Sequence, residues 1–153
     1  MVTVNKCIRI GAPIGDVYRV FERFENFPSF VHSVESVRGL DGEQSHWVVR
    51  APFNMKVEFD SKVTEKEEGE LIRWESVHGD TPGEGRLRSD GELRFKEEDG
   101  GKATIVHMKF NYELPGRVAG RIAEALHSLG FPDREFERGL KEIKSCIETR
   151  SAA

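Results

Sequence analysis

The stretch MKVEFDSKVT, residues 55–64, alternates between two kinds of side chain and is the clearest structural signal in the chain. Met55, Val57, Phe59, Ser61 and Val63 fall on one side, whereas every intervening position is charged or carries a hydroxyl. Because successive side chains of a β-strand point to opposite faces of the sheet, this period of two predicts a strand with one buried face and one wet face. Antiparallel sheets commonly have that character.

The same alternation recurs through the middle of the chain, and turn-forming residues separate the segments that carry it. A further alternating segment opens the chain, and Lys6 among its apolar positions suggests an edge strand. A glycine-rich loop is expected at residues 79–90. We therefore predict an antiparallel meander of about seven strands, at residues 3–10, 31–38, 44–51, 55–64, 71–77, 91–95 and 103–112.

Two parts of the chain show helical spacing instead. Pro13 fits the first turn of a helix that buries Ile14, Val17, Phe21 and Phe24. Proline cannot continue that helix, so residues 26–30 are predicted to form a break or one short extra turn, with Phe27 and Phe30 exposed or docking elsewhere. A long C-terminal helix, restarted at Pro132, is predicted from apolar stripes at Val118, Ile122, Ala125, Leu126, Leu129, Phe136, Leu140, Ile143 and Ile147.

Size and composition favour one α+β domain spanning residues 1–153. The 23 basic and 27 acidic residues are interspersed and give a net charge of −4, which argues against nucleic acid as a partner. Cys7 and Cys146 lie near opposite ends without metal-ligand spacing, so both are expected to be reduced and buried. The sequence leaves the oligomeric state open.

No apolar run approaches the roughly 18 residues of a membrane span. The first residues also lack the charged and then apolar layout of a signal peptide. We therefore expect a soluble, cytoplasmic protein, with peripheral membrane contact left possible through Phe27 and Phe30.

The predicted order of elements favours a cavity. A strongly twisted sheet of about seven strands curls, and one long helix cannot fill its concave side. Such clefts hold apolar ligands. Any single residue on the concave face is expected more often to fill the core than to contact a ligand, so the set is more informative than its members. The candidate ligand-binding residues are bulky or slightly polar: Trp47, Phe59, Trp74, Ser76, Phe95, Met108, Phe110 and Tyr112 on the strands, with Leu126, Phe136 and Leu140 on the helix.

Several short motifs resemble those of one protein family, in order and spacing, from residue 10 to residue 148. They are API at 12–14, FP at 27–28, WVV at 47–49, FD at 59–60, IRWES at 72–76, GELRF at 91–95, YELPG at 112–116 and LKEIK at 140–144. The family is the polyketide cyclase/dehydrase group of the START-like superfamily, which includes coenzyme Q-binding proteins. The resemblance implies a helix-grip fold and a lipid, isoprenoid quinone or polyketide ligand beneath the C-terminal helix. It does not fix catalysis, because one fold hosts many functions.

Catalytic and metal signatures are weak. The five histidines share no metal-ligand spacing, and no nucleophile elbow, phosphate loop or dinucleotide fingerprint occurs, so no metal or cofactor is expected. Arg73, His78, His107, Tyr112 and Ser76 could in principle supply acid, base or donor groups. However, Arg73 alternates with Trp74, and His107 lies opposite the apolar set, so both are expected to face away from a cavity.

Two hypotheses therefore stand. The first is a binding or carrier protein for a hydrophobic small molecule. The alternative is a polyketide cyclase or dehydratase that uses polar residues in the same cavity, without metal or nucleotide cofactor. The apolar concave face favours the first.

Overall fold

The computed structural model describes residues 2–51, 54–77, 88–113, 128–130 and 133–151. Within these ranges the chain forms seven strands, two α-helices and two 3-10 helices. The strands are β1 (Val2–Ile10), β2 (Val34–Gly39), β3 (Gln44–Ala51), β4 (Met55–Glu67), β5 (Leu71–Val77), β6 (Arg88–Glu98) and β7 (Ala103–Glu113). The helices are α1 (Ile14–Glu22) and α2 (Asp133–Ser151), and the 3-10 helices span Phe24–Ser29 and Asp99–Gly101.

The strands form one antiparallel sheet in the order β1-β7-β6-β5-β4-β3-β2. The sheet is curled into a half-barrel, and α2 packs on its concave side. The predicted α+β helix-grip architecture is thus confirmed. β1 stands at one end of the order, the edge position suggested by Lys6, whose ammonium group lies 2.9 Å from Asp133 of α2.

Three strands differ from the prediction by more than one residue. β2 begins at Val34 rather than residue 31, because the N–H groups of Phe30 and Val31 both donate to the Phe27 carbonyl and continue the helical turn. β4 runs on to Glu67 through an irregularity between Val63 and Glu65. β6 is longer than predicted at both ends, so residues 88–90 of the expected loop are strand, whereas residues 78–87 lie outside the described ranges.

The turn between α1 and β2 decides between the two environments left open for Phe27 and Phe30. Pro28 lies in one short 3-10 helix, as expected, but Phe27 and Phe30 are half-buried against the core rather than exposed. The reason is the period of the 3-10 helix, in which residues three apart share a face. Phe24, Phe27 and Phe30 therefore all turn toward the sheet.

The prediction of two buried cysteines is also wrong. Cys7 is exposed and Cys146 is half-buried, and both are free thiols. Cys7 faces outward because it alternates with inward positions on β1, where its cross-strand partner is the exposed His107. Cys146 lies on the flank of α2, between the buried Ile143 and Ile147.

One end of the concave side is tightly packed. α1 lies over β6 and β7 there, and its Tyr18 and Phe21 meet Phe95 edge-on at ring-centroid distances of 5.2 and 5.7 Å. α2 closes the same end, since Glu148 accepts the Gly11 N–H at 2.7 Å and Lys144 donates to the Arg9 carbonyl at 2.7 Å. We call this the filled end, formed by Ile10, Val17, Tyr18, Phe95, Val106 and Ile147, each less than 8% exposed.

Candidate functional site

A cavity of about 100 Å³ lies between α2 and the other part of the concave face. We call this the open end. Its lining comes from α1 and the turn after it, from strands β2 to β7, and from the first half of α2. The described lining residues are Phe21, Phe24, Phe27, Val31, Val34, Trp47, Phe59, Ser61, Trp74, Leu93, Met108, Phe110, Phe136, Gly139, Leu140 and Ile143.

One wall is a group of aromatic rings around Trp47. Its indole stacks on the Phe59 ring across strands β3 and β4, with centroids 6.0 Å apart and planes 9° apart. Phe24 and Phe27 approach the same indole at 5.8 and 5.7 Å from the 3-10 helix. This wall is flat and apolar, a surface suited to a planar ligand.

A second wall depends on a glycine. A Cβ at Gly91 would collide with the Trp74 indole and lie 2.8 Å from the Lys109 carbonyl oxygen. Because Gly91 stands between Trp74 and Phe110 in the sheet register, its missing side chain lets these two rings approach to 6.5 Å. Phe136 of α2 completes the wall, 5.1 Å from Phe110.

A row of hydroxyl groups crosses the concave face between these two walls. Ser45, Ser61 and Ser76 lie opposite one another on β3, β4 and β5, and all three are buried. The Trp47 Nε1–H donates to Ser45 Oγ at 2.8 Å, and the Ser89 N–H donates to Ser76 Oγ at 2.9 Å. Ser61 borders the cavity. Ser61 thus brings one hydroxyl group to an otherwise apolar wall.

The structure places seven of the predicted binding residues at the cavity: Trp47, Phe59, Trp74, Met108, Phe110, Phe136 and Leu140. Ser76 and Tyr112 are buried on the same concave face but are not part of the described lining. Phe95 packs instead against α1, at the filled end. Leu126 lies outside the described residues.

Nine lining residues were not predicted. Five of them, from Phe21 to Val34, lie in or near the connection between α1 and β2. The spacing of Phe24, Phe27 and Phe30 by three was a signal that these aromatics share a face. Ser61 lies on the apolar side of the clearest alternating strand, and this position indicated that its hydroxyl faces the core.

The polar groups weighed for catalysis lie mostly elsewhere. Arg73 faces outward and donates to Glu65 at 2.7 Å and to Glu92 at 3.0 Å. His107 is exposed. Both orientations were predicted from the alternation of side chains along the strands. His78 lies outside the described residues. Burial, with a smaller contribution from the Asp133 carboxylate, raises the pKa of Tyr112, so its phenol stays protonated at neutral pH.

The buried Tyr18 hydroxyl has no hydrogen-bond partner in the described structure. Burial, with Glu22 nearby, raises its pKa as well. Within the described ranges, no three His, Cys, Asp or Glu side chains converge as metal ligands. No helix among those same residues is long and apolar enough to cross a membrane.

The chain is similar to one protein family in sequence and to many solved structures in fold. The model of the family described as polyketide cyclase / dehydrase and lipid transport matches residues 10–129. No curated protein sequence matches the chain significantly. Many solved structures do.

The crystal structure of TTHA0849 from Thermus thermophilus is 25% identical, covers 98% of this chain and 99% of its own, and has a TM-score of 0.75. The Zhui aromatase/cyclase from Streptomyces sp. R1128 is 16% identical over 97% of this chain and 94% of its own, with a TM-score of 0.77. A START superfamily protein from Mycobacterium smegmatis is 16% identical over 98% and 97%, with a TM-score of 0.64. The last two show likeness of fold.

Proposed function

Because the chain belongs to the polyketide cyclase/dehydrase and lipid transport family, we propose that it binds a hydrophobic small molecule in the cavity beneath α2. The apolar lining carries this proposal. Of the sixteen described lining residues, eight are aromatic, and the Phe24 ring links the groups around Trp47 and Trp74, with centroids 5.8 and 6.4 Å from the two indoles. A ligand that buries about 200 Å² of apolar surface there gains about 5 kcal/mol, before the cost of association is subtracted. The candidate ligands are a lipid, an isoprenoid quinone and a polyketide.

We favour a carrier or presenting role over catalysis. Cyclisation or dehydration needs a general base close to an acidic carbon. Among the described lining residues, the side chains are apolar apart from the Ser61 hydroxyl and the two indole N–H groups, and none of these is a base at neutral pH.

The test uses a variant that fills the cavity from the helix. Leu140 is 7% exposed and points from α2 into the space, so Leu140→Trp is expected to occupy it. Lys141, the next residue on α2, is exposed, and Lys141→Trp is the matched control for the added ring. The probe is N-phenyl-1-naphthylamine, a neutral dye whose emission rises in apolar surroundings.

We expect the wild type and Lys141→Trp to bind the dye alike, and Leu140→Trp to bind at least about tenfold more weakly, a loss of about 1.4 kcal/mol. Urea unfolding of all three proteins checks that the fold is retained. Native mass spectrometry after exposure to a bacterial lipid extract then identifies natural ligands. Equal dye binding by Leu140→Trp and the wild type would show that the cavity is not the binding site.

A further inference from the structure

The hydroxyl row at the open end has one member whose hydrogen-bonding capacity is unused. Ser61 is only 4% exposed and borders the cavity, yet its Oγ has no hydrogen-bond partner among the described residues. Among the described side chains, the polar atoms fully enclosed without a partner are the Tyr18 hydroxyl and Ser89 Oγ, whereas Ser61 Oγ is accessible from the cavity. A bound molecule that displaces water from this hydroxyl without offering a partner would lose about 1–3 kcal/mol. The position therefore favours a bound molecule that supplies the partner.

The direction of the neighbouring hydrogen bonds indicates which partner is missing. Ser45 Oγ and Ser76 Oγ each accept a bond, from the Trp47 indole and the Ser89 N–H respectively. In the part of the chain that the structure describes, none of these three serine hydroxyls donates one. Their protons are thus available, whereas two of the three oxygens already accept. A hydrogen-bond acceptor is therefore the kind of partner that suits every hydroxyl of the row, Ser61 included.

The surroundings restrict the acceptor to an uncharged group. The described lining carries no Lys, Arg or His to compensate a carboxylate, and moving an unpaired carboxylate into an apolar site is very costly. A ketone, quinone or ester carbonyl accepts a hydrogen bond without carrying charge. The aromatic walls on either side of the row would hold the apolar body of such a molecule.

Building on the proposed function, we propose that the ligand is a neutral, carbonyl-bearing apolar molecule whose carbonyl oxygen accepts a hydrogen bond from Ser61 Oγ. Adjacent members of the row lie about 5 Å apart, the usual spacing of opposed Cβ atoms in antiparallel strands. Ser45 and Ser76 flank the anchor in the sheet, but among the three serines only Ser61 borders the described cavity, so the assignment is of one anchor.

A matched pair of probes tests this assignment: 1-tetralone and tetralin, which share a bicyclic skeleton and differ by one carbonyl group. Both are titrated into the wild type, Ser61→Ala and the control Ser36→Ala, which removes an exposed hydroxyl on β2. We expect Ser61→Ala to weaken tetralone binding about tenfold and tetralin binding less than about twofold. Ser36→Ala should change neither. Thermal unfolding confirms that each variant is folded.

A second measurement does not depend on affinity. The infrared carbonyl stretch of bound tetralone should shift to lower frequency in the wild type, as a hydrogen-bonded ketone does, and this shift should be lost in Ser61→Ala. If both probes bind and Ser61→Ala affects neither affinity nor stretch, the carbonyl anchor is wrong while the proposed function stands. If neither probe binds the wild type up to its solubility limit, both proposals fail.

Discussion

The filled end and the open end of the concave face share strands β6 and β7 and the helix α2, yet they are packed very differently. At the filled end, Ile147 of α2 is 2% exposed and α1 covers the sheet beside it. At the open end, two turns earlier on the same helix, Leu140 borders a cavity. The presence of α1 at one end is the difference, because a single helix cannot fill a curled sheet.

The comparison separates residues that stabilise the fold from residues that are available to bind. Protein interiors are close-packed, so a side chain at the filled end has neighbours on all sides. A side chain that borders a cavity lacks partner atoms on one side and contributes less dispersion energy. Truncation on α2 should therefore cost more at the filled end than at the open end.

The largest expected effect comes from Ile147→Ala. Removing these buried methyl groups should lower the free energy of unfolding by about 3–4 kcal/mol, because Ile147 is 2% exposed and its truncation leaves a cavity among packed neighbours. Leu140→Ala, a truncation of similar size, should cost about half as much. Urea unfolding monitored by circular dichroism measures both. Equal losses for the two variants would mean that the two ends are equally packed.

A smaller effect is expected from Gly91→Ala, which adds one methyl group to the wall of the open end. The new Cβ would collide with the Trp74 indole and lie 2.8 Å from a backbone oxygen, so the ring and strand must shift at a cost of about 1–3 kcal/mol. The Trp74 emission should change with it. Urea unfolding and tryptophan fluorescence test the two consequences.

The matched control for this change is Gly15→Ala, on the exposed side of α1. There the nearest atom to a new Cβ is the Arg19 guanidinium, 4.0 Å away. Since alanine is a better helix former than glycine, this variant should gain about 0.5–1 kcal/mol. A destabilised Gly15→Ala, or a neutral Gly91→Ala, would contradict the steric explanation.

The smallest effect concerns the link that closes the filled end. The Lys144 ammonium, 2.6 Å from Glu148, and the Gly11 N–H hold the pKa of Glu148 below its ordinary value of 4.5. A depressed pKa in the folded state means that the charged carboxylate stabilises the protein above about pH 4.5. That contribution is lost as the pH falls through the folded pKa.

Glu148→Gln should therefore cost less than about 1 kcal/mol at about pH 7, because the pair is partly exposed, and less still as the pH is lowered toward about 3. Urea unfolding at the two pH values gives the difference. Glu142→Gln, an exposed position on the same helix, serves as the control and should show no such dependence. A Glu148→Gln penalty that is the same at both pH values would rule out the charge-based link.

The fold could be predicted from sequence because its signals are local and repeated. Alternation places Val57, Phe59 and Ser61 on one face of β4 without any knowledge of the neighbouring strands. Boundaries were less predictable. β2 starts later than predicted because two N–H groups donate to the Phe27 carbonyl and prolong the preceding turn. The strand and helix propensities of the residues do not predict these two hydrogen bonds.

The candidate site was predictable only in part. Strand parity identified Trp47, Trp74 and Met108, which do border the cavity. The alternation along a strand shows which face a side chain occupies, but not where along the strand the packed core ends and the cavity begins. Phe95 was therefore predicted to bind ligand, although α1 covers it. The position of α1 on the sheet is a tertiary property, and the lining contributed by Phe27 follows from it.

The edge strand β1 has a consequence for how the protein folds. Within the described sheet its neighbour is β7, and the bond from Thr3 to Asn111 spans 108 positions in sequence. Such a distant pairing carries a large loop-closure entropy, and folds dominated by distant pairings form slowly. During synthesis, β1 leaves the ribosome before β2 to β7, but it can pair with β7 only after β7 has also emerged. We therefore expect the β2 to β6 meander to form earlier, with docking of β1 as a late step that completes the filled end.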